Sequence, residues 1–432
     1  MGIINKGGMN LETREYNLNS YKLHIIKSDK VKSVHMEIHF KDKVDESNIF
    51  YKSMLADILS DCSNKYHSRK EVSLMLEDLY KASFYGTTTK TGGVVDNVFV
   101  YNFINPKYIN DKNFLKNALK LPFEMILKPF VKSKKFDSMN FEIVKKRALR
   151  DIENIKEDSV RFSLKNALKY MDSSSLSSVS VLGNQKEVEK STSEVLYQEY
   201  INMLKNSYCD IYIIGNVDFD EMYNIVTKEF KLNTIKSGRL NLHVENSLKR
   251  KVLVVNEPGN FVQSNLNIVC NLDNFTKNEK DIVMQMYNYI LGSGGLNSKL
   301  YQKIREQNSL CYGVYSIYLK YDNLLVIQVS LDKKNKDKAI SLIKEALKEM
   351  KKGKITIDEF NEAKINLLKS LKMAKDNNLS ILSNYIFNKF DNLPLIEERI
   401  EKLENISLKD VKNLAKKVKI NTIYTLESEV MS

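Results

Sequence analysis

The chain contains no tryptophan, only five prolines among 432 residues, and four cysteines. With so few prolines to interrupt them, helices are expected to run long. Cys62, Cys209, Cys270 and Cys311 stand far apart with no C-x-x-C pair. That argues against a metal knuckle or redox motif and for reduced, mostly buried thiols. No stretch reaches the ~18 apolar residues of a membrane span, and the first residues hold no apolar run of signal-peptide length. A cytoplasmic protein is therefore expected. Also missing are the G-x-x-x-x-G-K-[ST] phosphate loop, the G-x-S-x-G elbow and any cysteine-nucleophile signature. The glycine cluster at residues 292–295 accordingly reads as a turn between helices.

What is present in excess is positive charge, with 67 Lys and Arg against 54 Asp and Glu, a net +13. Such a field favours acidic partners. The lysines alternate with glutamates on helical faces such as residues 336–354, and no recognition module accompanies them, so the reading is a solvated surface with no nucleic-acid partner. The chain is too long for one compact core, and two or more domains are expected.

The stretch 21–40 alternates: Val34, Met36, Ile38 and Phe40 share one face and His35, Glu37 and His39 the other, the period of a half-buried strand. Helices are predicted at 48–60 and 68–81, the second opened by Ser68 with Glu71 three residues on, a capping-box spacing. A hairpin through Gly92-Gly93 is predicted over 87–104, helices at 114–127 and 136–154, and a strand at 210–215. The same order recurs. Strands are expected at 252–255 and 266–272, helices at 278–291 and 298–307, a strand pair over 312–331, and helices at 336–351 and 357–375. An internal repeat of about half the chain implies two similar domains by duplication, 1–230 and 252–432, joined by a polar, basic linker at 231–251. The expected architecture is α+β: two α/β sandwiches, each an antiparallel-rich sheet covered by helices.

Two groups of residues have metal-ligand spacing. His35, Glu37 and His39 could chelate from one strand face, but an alternating strand must carry polar residues somewhere, and that is the reading adopted. His67 and Glu71 are four apart, yet Glu71 is explained by the cap and His67 precedes the helix. His24 and His243 have no suitable neighbours in sequence.

The segment Y-Q-K-I-R-E-Q-N-S-L-C-Y-G-V-Y at 301–315, preceded by the glycine-rich stretch, resembles the second-half signature of the insulinase and pitrilysin family of zinc peptidases, which includes the processing peptidases. The resemblance spans essentially the whole chain and implies a clamshell half of the processing-peptidase and LuxS-like metalloenzyme type. It implies that Arg305 and Tyr312 grip a peptide substrate, donating hydrogen bonds to its carbonyl and developing oxyanion. Taken alone, an arginine at a helix end and a strand tyrosine would read as a solvated charge and a half-buried aromatic.

Active members also carry H-x-x-E-H on a first-half helix and a distal glutamate: two histidines and the glutamate hold zinc, and the inner glutamate activates water. Here Ser53-Met54-Leu55-Ala56-Asp57 stands in that place, and Asp151 where the distal ligand belongs. The resemblance therefore implies no catalytic and no metal-binding residue on this chain, which alone is not a zinc peptidase. The region L-E-D-L-Y-K-A-S-F at 76–84 is similar to a zinc-site-deficient branch, which normally has glycine where Lys81 stands. In that branch a paralogous zinc-bearing subunit supplies the metal and this kind of chain helps hold the peptide. The alternative is an inactive peptide-binding or scaffold protein, homodimeric, like the inactive members in respiratory complexes.

Overall fold

The computed structural model describes residues 12–232 and 240–429; residues 233–239 of the expected linker lie outside them. The chain forms two compact units. The first falls within Met1–Glu153, Ser180–Asn241 and Asn377–Leu382. Its strands are β1 (Thr13–Asn17), β2 (Lys22–Lys27), β3 (Ser33–Lys43), β4 (Ser83–Thr91), β5 (Val94–Ile104), a short hairpin β6 (Val131–Lys132) and β7 (Lys135–Phe136), and β8 (Tyr208–Gly215). All but the hairpin make one sheet in the order β1-β2-β8-β3-β5-β4.

The second unit falls within Asn154–Val179, Leu242–Asp376 and Ser383–Ser432. Its strands β9 (Leu253–Gly259), β10 (Ser264–Leu272), β11 (Cys311–Leu319), β12 (Leu324–Leu331) and β13 (Val418–Ser428) lie in the order β11-β12-β10-β13-β9. The repeat seen in the sequence is a repeat of topology. In the first sheet β2 runs parallel to β8, and β8, β3, β5 and β4 follow antiparallel. In the second, β9 runs parallel to β13, and β13, β10, β12 and β11 follow antiparallel. Strand for strand, β2, β3, β4, β5 and β8 correspond to β9, β10, β11, β12 and β13. β1 is an addition at one edge.

Helices α1 (Ile49–Asp61), α2 (Arg69–Asp78), α3 (Phe114–Leu127) and α4 (Ser138–Glu157) follow the predicted positions closely. Ser68 caps α2 by accepting from the Glu71 amide, while the Glu71 carboxylate accepts from the Ser68 hydroxyl and from the His67 amide. Just beyond α2, Tyr80 and Lys81 both adopt left-handed backbone, φ 57° and 59°. For residues with a Cβ this costs about 1–2 kcal/mol each, and it explains why glycine suits position 81.

One helix that the periodicity did not single out, α5 (Ser159–Met171), belongs to the second unit. Asp158 caps it by accepting from the amides of Val160 and Arg161. Its Ala167 and Met171 pack with Val269, Tyr424 and Leu426 of β10 and β13. The Ser163 hydroxyl accepts from the Asn267 side chain at 2.9 Å.

Each unit brings a helix unusually close to its edge strand through a glycine. A Cβ on Gly86 of β4 would stand 2.3 Å from the Ala56 carbonyl oxygen and 2.7 Å from Ser60 Oγ, both on α1. In the second unit a Cβ on Gly292, at the end of the helical stretch before β11, would meet Ser316 Oγ at 2.6 Å. Because Gly86 abuts helix backbone, no side-chain adjustment can relieve the clash. Gly86→Ala is expected to destabilise the chain by about 2–3 kcal/mol in urea unfolding; a change within 0.5 kcal/mol would contradict this contact.

Candidate functional site

The residues aligned with the zinc motif lie on α1 and α4. Ser53 and Asp57, four apart, share one helical face and are half-buried, and Ala56 beside them is 2% exposed. The neighbour of Asp57 is an arginine. Arg147 of α4 reaches across to α1 with Nη2 2.7 Å from Asp61 Oδ2 and Nη1 3.4 Å from Asp57 Oδ1. Burial, with Asp61 and Asp151 adding to it, raises the Asp57 carboxyl pKa against the opposing pull of Arg147. The shorter bond, to Asp61, is thus the principal one. Asp151 is more exposed, with Arg150 Nε 4.0 Å away.

This set does not fit zinc. It offers only oxygen ligands where zinc prefers imidazole and thiolate, a fixed positive charge lies 3.4 Å from Asp57, and an alanine methyl stands where the group that would activate water belongs. Among the described residues no group of three His, Cys, Asp or Glu is placed to hold a metal ion.

The strand triplet of histidines and glutamate is built differently from a chelate. Glu37 lies between the two rings, 2.7 Å from His35 Nε2 and 2.9 Å from His39 Nε2. The far nitrogens meet Asn102 Oδ1 at 2.6 Å and Asp96 Oδ2 at 2.7 Å. Every ring nitrogen of the two histidines thereby has a hydrogen-bond partner in the protein. The two carboxylates raise the His39 pKa even though burial opposes them. Glu37 is held at about 2 by its histidine hydrogen bonds, against burial. Alongside, Lys41 Nζ sits 2.7 Å from Asp210, and His24 stacks on Tyr212 with its Nε2 3.5 Å from Asp210. His67 stacks on Phe130 and bonds the Asn64 carbonyl, and His243 lies 3.6 Å from Asp391. Glu37 and Asn64 lie within three residues of their histidines, whereas Asp210, Phe130 and Asp391 are distant in sequence from theirs.

In the second unit Ile304, Leu310 and Val314 are buried in the core. They fix the frame from which Arg305 and Tyr312 project outward. Arg305 ends a wide-turned helical segment (Tyr301–Glu306) and lays its guanidinium over the Tyr301 ring, 5.1 Å from the centroid. Tyr312 is 58% exposed. It is the extra residue of a bulge in β11, since Cys311 pairs with Leu331 and Gly313 with Ser330. A bulge on an edge strand swings one side chain out of the ladder. The Tyr312 hydroxyl lies 3.4 Å from Asp332 Oδ1. The Cys311 thiol, next along the strand, is pushed up to about 11 by burial, with Arg305 opposing. Asp332 was not singled out in the sequence, because a contact across 20 residues leaves no local signal. The glycine cluster forms the predicted turn, with Gly295 at φ +70°.

A sequence model described as the peptidase M16 inactive domain matches residues 190–367. Over 410 residues the chain is 24% identical to the "probable inactive metalloprotease YmfF" of Bacillus subtilis, covering 94% of this chain and 95% of that protein. A conserved protein from Enterococcus faecalis superposes with a TM-score of 0.90 at 22% identity, over 97% of this chain and 99% of that one. A peptidase M16 inactive domain from Pseudomonas fluorescens superposes with 0.79 at 17% identity, over 98% and 100%. At these identities the structural likeness establishes the fold, the two-domain α+β arrangement expected from the sequence.

The buried strand network carries a pH dependence with a definite sign. Because the folded state raises the pKa of His39, the stability it contributes is complete below the unfolded value of about 6.5 and is lost as pH rises through the folded value. Glu37 acts oppositely: its contribution is present above an unfolded value of about 4.3 and fades as pH falls through about 2. His24 is buried with a lowered pKa, is neutral in both states above about 6.5, and leaves the alkaline limb to the others. Urea midpoints between pH 6.5 and 9 should therefore fall more steeply for the wild type than for His39→Gln. Parallel slopes would refute the assignment.

Proposed function

We propose, from the premise that the chain belongs to the peptidase M16 family as an inactive homologue, that it is the substrate-holding subunit of a two-chain zinc peptidase. The partner would be a paralogous chain carrying H-x-x-E-H and the zinc, and the complex would act on peptides. The observation that carries this reading is an asymmetry of loss. The metal half of the site is rebuilt around Arg147, whereas Arg305 and Tyr312 remain presented to solvent on a buried frame.

In such a complex Arg305 and Tyr312 supply hydrogen-bond donors to the peptide carbonyl at the bond being cut. Donors fixed in advance are worth most where charge develops and water is scarce. We take 1–230 and 252–432 as the duplicated domains, in line with the repeated strand order. A cytoplasmic location is part of the proposal; among the described residues no helix is long and apolar enough to cross a membrane.

Arg305→Ala in the reconstituted complex should lower kcat/KM for peptide cleavage by about 10²-fold, and Tyr312→Phe by about tenfold. Complex formation and zinc content should stay unchanged. Full activity with both residues replaced would remove the substrate role and leave a scaffold.

A further inference from the structure

We infer that Arg147 is the resident cation of the position zinc takes in active relatives, an internal substitute that joins α1 to α4 without metal and bars metal from that position. The assignment concerns this chain alone and holds with or without a partner subunit.

Three carboxylates converge on this position. Asp57 and Asp61 come from successive turns of α1, and Asp151 comes from α4, four residues after Arg147 and on the same helical face. Their mutual influence is visible in Asp57, whose pKa both of the others help to raise. Two helices cannot be packed through a cluster of like charges without a counter-charge. Arg147 provides it, with a side chain only 20% exposed and contacts to two of the three. Arg69 is peripheral, 73% exposed and 3.8 Å from Asp61.

A guanidinium suits this role in ways a lysine would not. It stays charged at any working pH, and its planar fork can meet two carboxylates at once. The joint between α1 and α4 then needs no metal supply. For the same reason a divalent ion entering here would meet a fixed positive charge 3.4 Å from Asp57, at the place of the family's second histidine ligand. The loss of the histidines and the presence of Arg147 are two sides of one substitution.

The full-length chain tests this in two arms. Arg147→Val should lower the thermal midpoint by roughly 5 °C. Adding Asp57→Asn and Asp61→Asn should restore most of that loss, because the only carboxylate of the three then left charged is Asp151, which is 40% exposed. In the second arm Ser53→His, Ala56→Glu, Asp57→His and Asp151→Glu are combined, with and without Arg147→Val. Zinc retained after dialysis, measured by mass spectrometry, should approach about one per chain only when Arg147 is also replaced. It should be at least about tenfold lower when Arg147 is kept. Equal zinc uptake in both grafts would overturn the inference. So would stoichiometric zinc on the wild type, or a triple variant no more stable than Arg147→Val.

Discussion

Between α1 and α4 the chain faces a problem of like charge, and the way it is solved governs what the molecule can do. Asp57, Asp61 and Asp151 approach one another where two helices pack, and Arg147 answers them with a covalently attached cation. A metal in that place would be exchangeable and reactive, able to polarise a carbonyl or lower the pKa of water. A guanidinium is permanent and does neither.

The second unit shows the complementary case. It repeats the strand order of the first, and its helical stretch before β11 approaches the edge strand through Gly292 as α1 approaches β4 at Gly86. Here, however, the edge strand is bulged at Tyr312, and Arg305 near the end of a short helical segment lies exposed over the Tyr301 ring. One framework thus carries a neutralised site in one copy and an outward-facing pair of donors in the other. That division fits a chain that helps to hold a peptide but does not cut it.

Much of this was legible in the sequence, for physical reasons that can be named. The alternation from Val34 to Phe40 marks β3, Gly92-Gly93 marks the β4–β5 turn, and the helices Phe114–Leu127 and Lys336–Lys351 fall at their predicted bounds because their apolar stripes are complete. The Arg305 and Tyr312 frame was visible because its spacing is local. The Arg147 clasp was not, since Arg147 and Asp61 are 86 residues apart and nothing in either helix announces the other. His24 and Asp210, 186 residues apart, were hidden for the same reason. The place of α5 in the second unit depends on which sheet its Ala167 and Met171 find, which periodicity alone does not encode.

The central claim is that this chain works as half of a peptidase. Its most direct test is to purify the tagged protein from the cells that make it and to identify by mass spectrometry what accompanies it in near-equal amount. The account predicts a second chain of similar length carrying H-x-x-E-H. Recovery of this chain alone, or only of proteins without that motif, would contradict it.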